Sequence, residues 1–121
     1  MQTPTITTDL NGTIRYQLNG KCHREDGPAI ISPGGSQSWW LNGRRHRTDG
    51  PAVIWSDGTQ IWHLNGKCHR EDGPAFIGAD GSQEWWLNDN QYTFNNYCKQ
   101  LKLSEEDIVF LKLKFNTCIA A

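Results

Sequence analysis

One charged segment occurs three times in the sequence: His23-Arg24-Glu25-Asp26, His46-Arg47-Thr48-Asp49 and His69-Arg70-Glu71-Asp72, each followed by Gly-Pro-Ala. A histidine, an arginine and a carboxylate within four residues are the groups of a hydrolytic site, acting as base, phosphate clamp and orienting acid. A catalytic site is normally single and asymmetric, whereas a segment repeated in register serves first as a turn that every unit needs. The Asp of each copy suits that purpose, bonding N–H groups in the turn and pairing with the nearby Arg. No catalytic residue is therefore expected, and a His-dependent hydrolase ranks behind two binding readings.

The first binding reading uses the cations. Arg24, Arg47 and Arg70 would recur about 10 Å apart along a sheet edge, two strand spacings, joined by Lys21, Arg44, Arg45 and Lys67. Such a ladder could grip phosphates, which describes a small-ligand (nucleotide or phosphate) binding or sequestering protein. The interleaved Glu25, Asp26, Asp49, Glu71 and Asp72 weaken it. The second reading uses the aromatics. Trp40, His63 and Trp86, with Ile61 beside them, suit interface anchors or a stacked planar ligand; a dimer mate or the terminal helices would bury them equally well.

These groups are placed by an internal repeat. Leu-Asn-Gly begins at Leu18, Leu41 and Leu64 and decays to Leu87-Asn88-Asp89, a step of 23 residues each time. Asn11-Gly12, Gly34-Gly35, Asp57-Gly58 and Asp80-Gly81 read as two-residue hairpin turns between short alternating stretches. The segment from Asn-Gly through His-Arg-x-Asp-Gly-Pro reads as a second, longer turn. Units near 9–31, 32–54, 55–77 and 78–90 then form a single antiparallel meander of about seven or eight strands, making residues 1–90 a mainly β repeat region.

Period-two alternation assigns the faces. Tyr16, Trp39, Trp62 and Trp85 share one face with Leu18, Leu41, Leu64 and Leu87. These near-identical columns suit repeats that bury themselves on their neighbours, so Trp39, Trp62 and Trp85 should be more buried than Trp40 and Trp86. Gln17, Trp40, His63 and Trp86 lie on the other face with Arg15, Ser38, Ile61 and Glu84. That column is not uniform, and exposed Trp is costly unless something covers it.

The 23-residue period, the Trp-x-Leu-Asn-Gly-Lys-x-His signature and the following Asp-Gly-Ser/Thr turn resemble MORN (membrane occupation and recognition nexus) repeats across residues 9–90. More narrowly, His-Arg-x-Asp-Gly-Pro-Ala resembles variant repeats of small tailed-phage and giant-virus proteins. Arg follows the His where MORN repeats usually have Gly. The resemblance implies a β-hairpin repeat fold, scaffolding and protein contact. It makes a phage accessory or anti-defence protein that binds and occludes a host protein the leading expectation, with a homodimer through the Trp40/Trp86 face beside it.

Composition bounds the rest. Only 36% of residues are hydrophobic, yet there are six Trp, which suits a thin sheet better than a thick core. The net charge of −1 disfavours general nucleic-acid or membrane-surface binding. No apolar run has transmembrane length and residues 1–20 do not read as a signal peptide, so a cytoplasmic protein is expected. Cys22 and Cys68 stand two units apart, roughly 19 Å at ~4.8 Å per strand, beyond disulfide reach. No Cys-x-x-Cys or His/Cys cluster is present, so neither a metal nor a cofactor is expected.

After Asn90 the period changes to near 3.6, and residues 91–121 read as a cap of two short helices. Thr93 caps the first, with Phe94, Tyr97, Cys98 and Leu101 on one side. Ser104-Glu105-Glu106-Asp107 starts the second, followed by Ile108, Leu111, Phe115 and Ile119. Cys118-Ile119-Ala120-Ala121 fits a prenylation pattern, a four-residue match that chance often supplies.

Overall fold

The computed structural model describes residues 3–116 as fourteen short strands in an antiparallel meander, followed by two helices. The Cys118-Ile119-Ala120-Ala121 pattern lies outside the described residues. Each unit has an outgoing and a returning strand. The outgoing ones are Ile14–Leu18, Gln37–Ser38 with Trp40–Leu41, Gln60–Ile61 with His63–Leu64, and Gln83–Leu87. A leading strand, Thr5–Thr8, pairs with Ile14–Leu18 and brings the main path to nine strands. The sequence reading missed it because its four residues alternate no apolar set; all four are exposed.

The two kinds of turn are the reverse of the expectation. Asn19-Gly20, Asn42-Gly43 and Asn65-Gly66 have positive φ at both residues and make the two-residue hairpins, with Leu18 opposite Lys21 in the first. At Asp57-Gly58 and Asp80-Gly81 only the Gly is left-handed. There the carboxylate accepts the N–H two residues on, from Thr59 and Ser82, and the loop widens to five residues between paired Ile54 and Gln60. An Asp that bonds forward in this way stays right-handed, which excludes the double-positive turn.

The His-Arg-x-Asp-Gly-Pro segment is likewise not a turn between strands. Gln17 pairs with Cys22 before it, and Arg15 pairs with Ile30 after it. Tyr16 binds across both ends, accepting from the N–H of His23 and donating to the carbonyl of Ala29. The segment is therefore a loop thrown out of the middle of the returning strand, which resumes in register on its far side. Ala29, Ala52 and Ala75, where the strand resumes, are fully buried.

Successive units are joined by side chains as well as by the ladder. His23 Nδ1 accepts the backbone N–H of Asn42 at 3.0 Å, and His46 and His69 do the same for Asn65 and Asn88. On the other side Ser36 Oγ accepts from the N–H of Ser56, and Thr59 Oγ1 from that of Ala79. The three histidines are thus bound to neighbouring backbone, in the tautomer that leaves Nδ1 bare.

Helix α1 (Phe94–Gln100) is capped by Thr93, and α2 (Glu105–Lys114) by Ser104, each hydroxyl accepting the N–H three residues on. They close over the last unit, burying Trp85, Leu87, Phe94, Tyr97, Cys98 and Leu111 in one cluster. Trp85 has Phe94 and Tyr97 ring centroids at 4.8 Å, and the buried Tyr97 hydroxyl donates to the carbonyl of Arg70 at 2.6 Å. Trp85 is accordingly buried, whereas Trp39 and Trp62 are only half-buried, like Trp40 and Trp86. The expected difference between the columns holds only where a second layer exists.

His23 is 8% exposed and its bond to Asn42 crosses units. Replacing it by Ala should lower unfolding free energy in urea by about 1–2 kcal/mol, the cost of an orphaned donor. An unchanged urea midpoint would mean the histidines do not couple the units.

Candidate functional site

The sequence offered a charged edge and an aromatic face, and the structure places them on opposite sides of the sheet. On the first side, each repeat arginine lies over the aromatic ring of its own unit: Arg24 over Tyr16 at 4.0 Å, Arg47 over Trp39 at 4.0 Å and Arg70 over Trp62 at 3.9 Å. Its Nε donates to the Asp two residues on, and an Nη donates to the carbonyl of Pro28, Pro51 or Pro74. The Asp bonds the Arg rather than turn N–H groups, and the Arg24 guanidinium holds the Asp26 carboxyl below its ordinary range. These are roof pieces that cover an aromatic column, with much of their donor capacity used internally.

Two clefts, of about 710 and 550 Å³, lie between successive loops, and a third of about 510 Å³ lies between the first loop and the leading strand. Trp39, Trp62 and Tyr16 line them in that order, and Asp26, Asp49 and Asp72 at their rims have side chains 86%, 83% and 80% exposed. Carboxylates outnumber arginines in the largest: Glu25, Asp26 and Asp49 against Arg24 and Arg47. Lys21 and Lys67 are exposed beside the hairpin turns, the Lys21 stem lying along Gly43 of the next unit. Arg45 is not on this side at all. The cations named from the sequence therefore do not share one edge.

The repeat histidines line these clefts with the arginines and carboxylates. The Nδ1 of each repeat histidine is taken by backbone, while Nε2 faces Glu25 at 3.9 Å in His23 and Glu71 at 3.0 Å in His69. Among the described residues no three His, Cys, Asp or Glu side chains are grouped to hold a metal. Cys22, Cys68 and Cys98 are free thiols, and burial pushes the Cys68 thiol up to about 12, which keeps it protonated.

The opposite side carries the aromatic candidates, and the strand register gives their neighbours. One row across the sheet runs Arg15, Ile30, Ser38, Val53, Ile61, Phe76, Glu84. A second pairs Gln17 with Cys22, Trp40 with Arg45, His63 with Cys68 and Trp86 with Gln91. Trp40, Ile61, His63 and Trp86 therefore share one face, as the alternation required. Each Trp folds back along its strand, Trp40 donating to Ser38 Oγ at 2.7 Å and Trp86 to Glu84 Oε1 at 3.0 Å.

Sequence reasoning missed two members of this face. Arg45 was grouped with the charged edge, yet its guanidinium stands 5.3 Å from the Trp40 ring, and its Nε is buried without an acceptor. Trp55, 45% exposed, joins Trp40, Arg45 and Val53 around a hollow of about 280 Å³. The available signal was departure from the repeat: Arg45 stands where other units have Cys22 and Cys68, and Trp55 where they have Ser32 and Gly78.

His63 sits beside Arg45, also with a buried, unpartnered Nδ1. Burial first, and the Arg45 charge second, lower its pKa from the ordinary 6.5. No family model, curated protein or solved structure matches the chain.

A lowered histidine pKa means the unfolded chain takes up its proton first as pH falls. The His63 contribution to stability is therefore complete above about pH 6.5 and is lost below it. Histidine-ring NMR should show His63 titrating below 6.5, and His63→Gln should flatten the decline of stability from pH 7 to 5.5. A His63 titration at or above 6.5 would contradict the burial of this ring beside Arg45.

Proposed function

We propose that the chain is a non-enzymatic protein-binding module whose working surface is the Trp40, Ile61, His63 and Trp86 face. One observation carries this reading. The Tyr16/Trp39/Trp62/Trp85 side is roofed by arginines and helices, whereas Ile30, Ile61, Phe76, Trp40 and Trp86 stay half-buried around a buried Val53, with no second layer among the described residues. A sheet face of this kind reaches low free energy when another surface covers it. The tandem hairpin design supports the reading, since stacking accounts for the uniform column and leaves the variable one to a partner.

The repeat's likeness to viral variant MORN units makes a host protein the natural target. No helix among the described residues is long and apolar enough to cross a membrane, and nothing in the rows is rich enough in cations to favour nucleic acid.

Trp40→Ala combined with Trp86→Ala should abolish affinity capture of the partner, at about 2 kcal/mol or more per anchor, with melting temperature little changed. The control is Glu25→Ala with Glu71→Ala, on the opposite side, which should leave capture intact. Capture lost in the control and retained in the Trp variant would move the site to the clefts between the loops.

A further inference from the structure

Helix α2 presents a second surface that the fold leaves uncovered. Its Leu111 side is buried against the last unit, while Val109, Phe110 and Leu113 are 52%, 60% and 78% exposed. With the exposed Glu106 they fall at i, i+3, i+4 and i+7, which is one continuous stripe on a helix. The stripe therefore combines an aromatic ring and aliphatic side chains with a carboxylate one turn away.

The hollow on the Trp face has a cation and no carboxylate in its lining. Trp40, Trp55, Val53 and Ile30 give it apolar walls, and Arg45 gives it a cation. Arg15, Arg24, Arg47 and Arg70 each have a carboxylate partner. Arg45, also half-buried, has none among the described residues, and its Nε lacks any acceptor. Apolar walls around an unpaired guanidinium fit a partner that brings an apolar side chain and a carboxylate together.

We propose that the Trp face also receives helix α2 of a second copy of this chain, with Phe110 seated in the hollow and Glu106 paired with Arg45, in competition with any other protein that uses the face. The inference rests on the reading of that face as a binding surface. One chain cannot make the contact within itself, because the helices pack on the Trp85 and Leu87 side and the hollow opens on the other. The two surfaces are different and lie on opposite sides, so the contact is heterologous. Each chain that docks leaves one helix and one hollow unused, and assembly continues into a ring or filament.

Sedimentation velocity over a concentration series tests this with the whole chain. The wild type should grow in mass beyond a dimer. Phe110→Glu, which spoils only the stripe, and Trp40→Glu, which spoils only the hollow, should each weaken self-association about 30-fold or more. Mixed in equal amounts they should form a 1:1 dimer that grows no further, since the mixture holds one intact hollow and one intact stripe. Arg45→Glu should weaken assembly, and adding Glu106→Arg to the same chain should restore it, a test that survives if Trp40→Glu fails to fold. A wild type that stays monomeric, or variants that do not combine, would overturn the self-assembly. Binding of another protein through Trp40 and Trp86 would then still stand or fall on the capture experiment.

Discussion

The stacking of a guanidinium on an aromatic ring is the contact around which the rest of this molecule is arranged. A sheet one layer thick has no opposing layer to shield its side chains, and thin repeats must find cover from within. Here each returning strand is broken by a loop that swings its Arg back over the ring of the same unit. The carboxylate two residues on and the carbonyl of the loop proline hold the guanidinium in place. A desolvated cation–π contact is worth about 2 kcal/mol, and its threefold recurrence lets a chain with few aliphatics hold its sheet. The histidine beside each Arg ties the unit to the next through the Asn of its tight turn, Asn42, Asn65 or Asn88.

The same register explains the helices. A fourth arginine would fall at position 93, 23 residues after Arg70, and Thr93 stands there instead, as the N-cap of α1. Phe94, Tyr97 and Phe115 then cover Trp85 as Arg24, Arg47 and Arg70 cover the earlier rings. Arg70 joins the two regimes, with Trp62 at 3.9 Å and Phe115 at 5.2 Å from its guanidinium. Every roofing device is thus on one side of the sheet. The other side keeps two rows, mostly half-buried around a buried Val53, in which the repeat is least uniform, and at their centre Arg45 and His63 carry buried nitrogens without partners. A position that departs from its repeat gains nothing from stacking, so its residue type reflects some other contact.

The 23-residue period, the assignment of faces by alternation and both helix caps were readable from the sequence, because each rests on local spacing. What was not readable rests on pairing across units. Asn-Gly and Asp-Gly both signal hairpins, and the Asx bonds of Asn11, Asp57 and Asp80 mark wide turns apart from the tight ones. The loop nature of His-Arg-x-Asp-Gly-Pro depends on Tyr16 bonding at both of its ends, a nonlocal fact. Arg24, Arg47 and Arg70 looked like an anion ladder because sequence shows charge but not what a guanidinium lies upon. Arg45 shows the converse: its neighbours in the chain are cations, and its neighbours in space are Trp40 and His63.

Six tryptophans make the central claim directly measurable, since Trp39, Trp62 and Trp85 sit on the roofed side and Trp40, Trp55 and Trp86 belong to the open one. The indole N–H resonances, assigned by single substitution, can be followed by NMR as complex forms on raising the protein concentration. The account predicts that Trp40 and Trp55 shift and broaden most, Trp86 with them in lesser degree, while Trp39, Trp62 and Trp85 hold their positions. Shifts confined to Trp39 and Trp62 would place recognition in the clefts beneath the arginines and contradict the division of labour between the two faces.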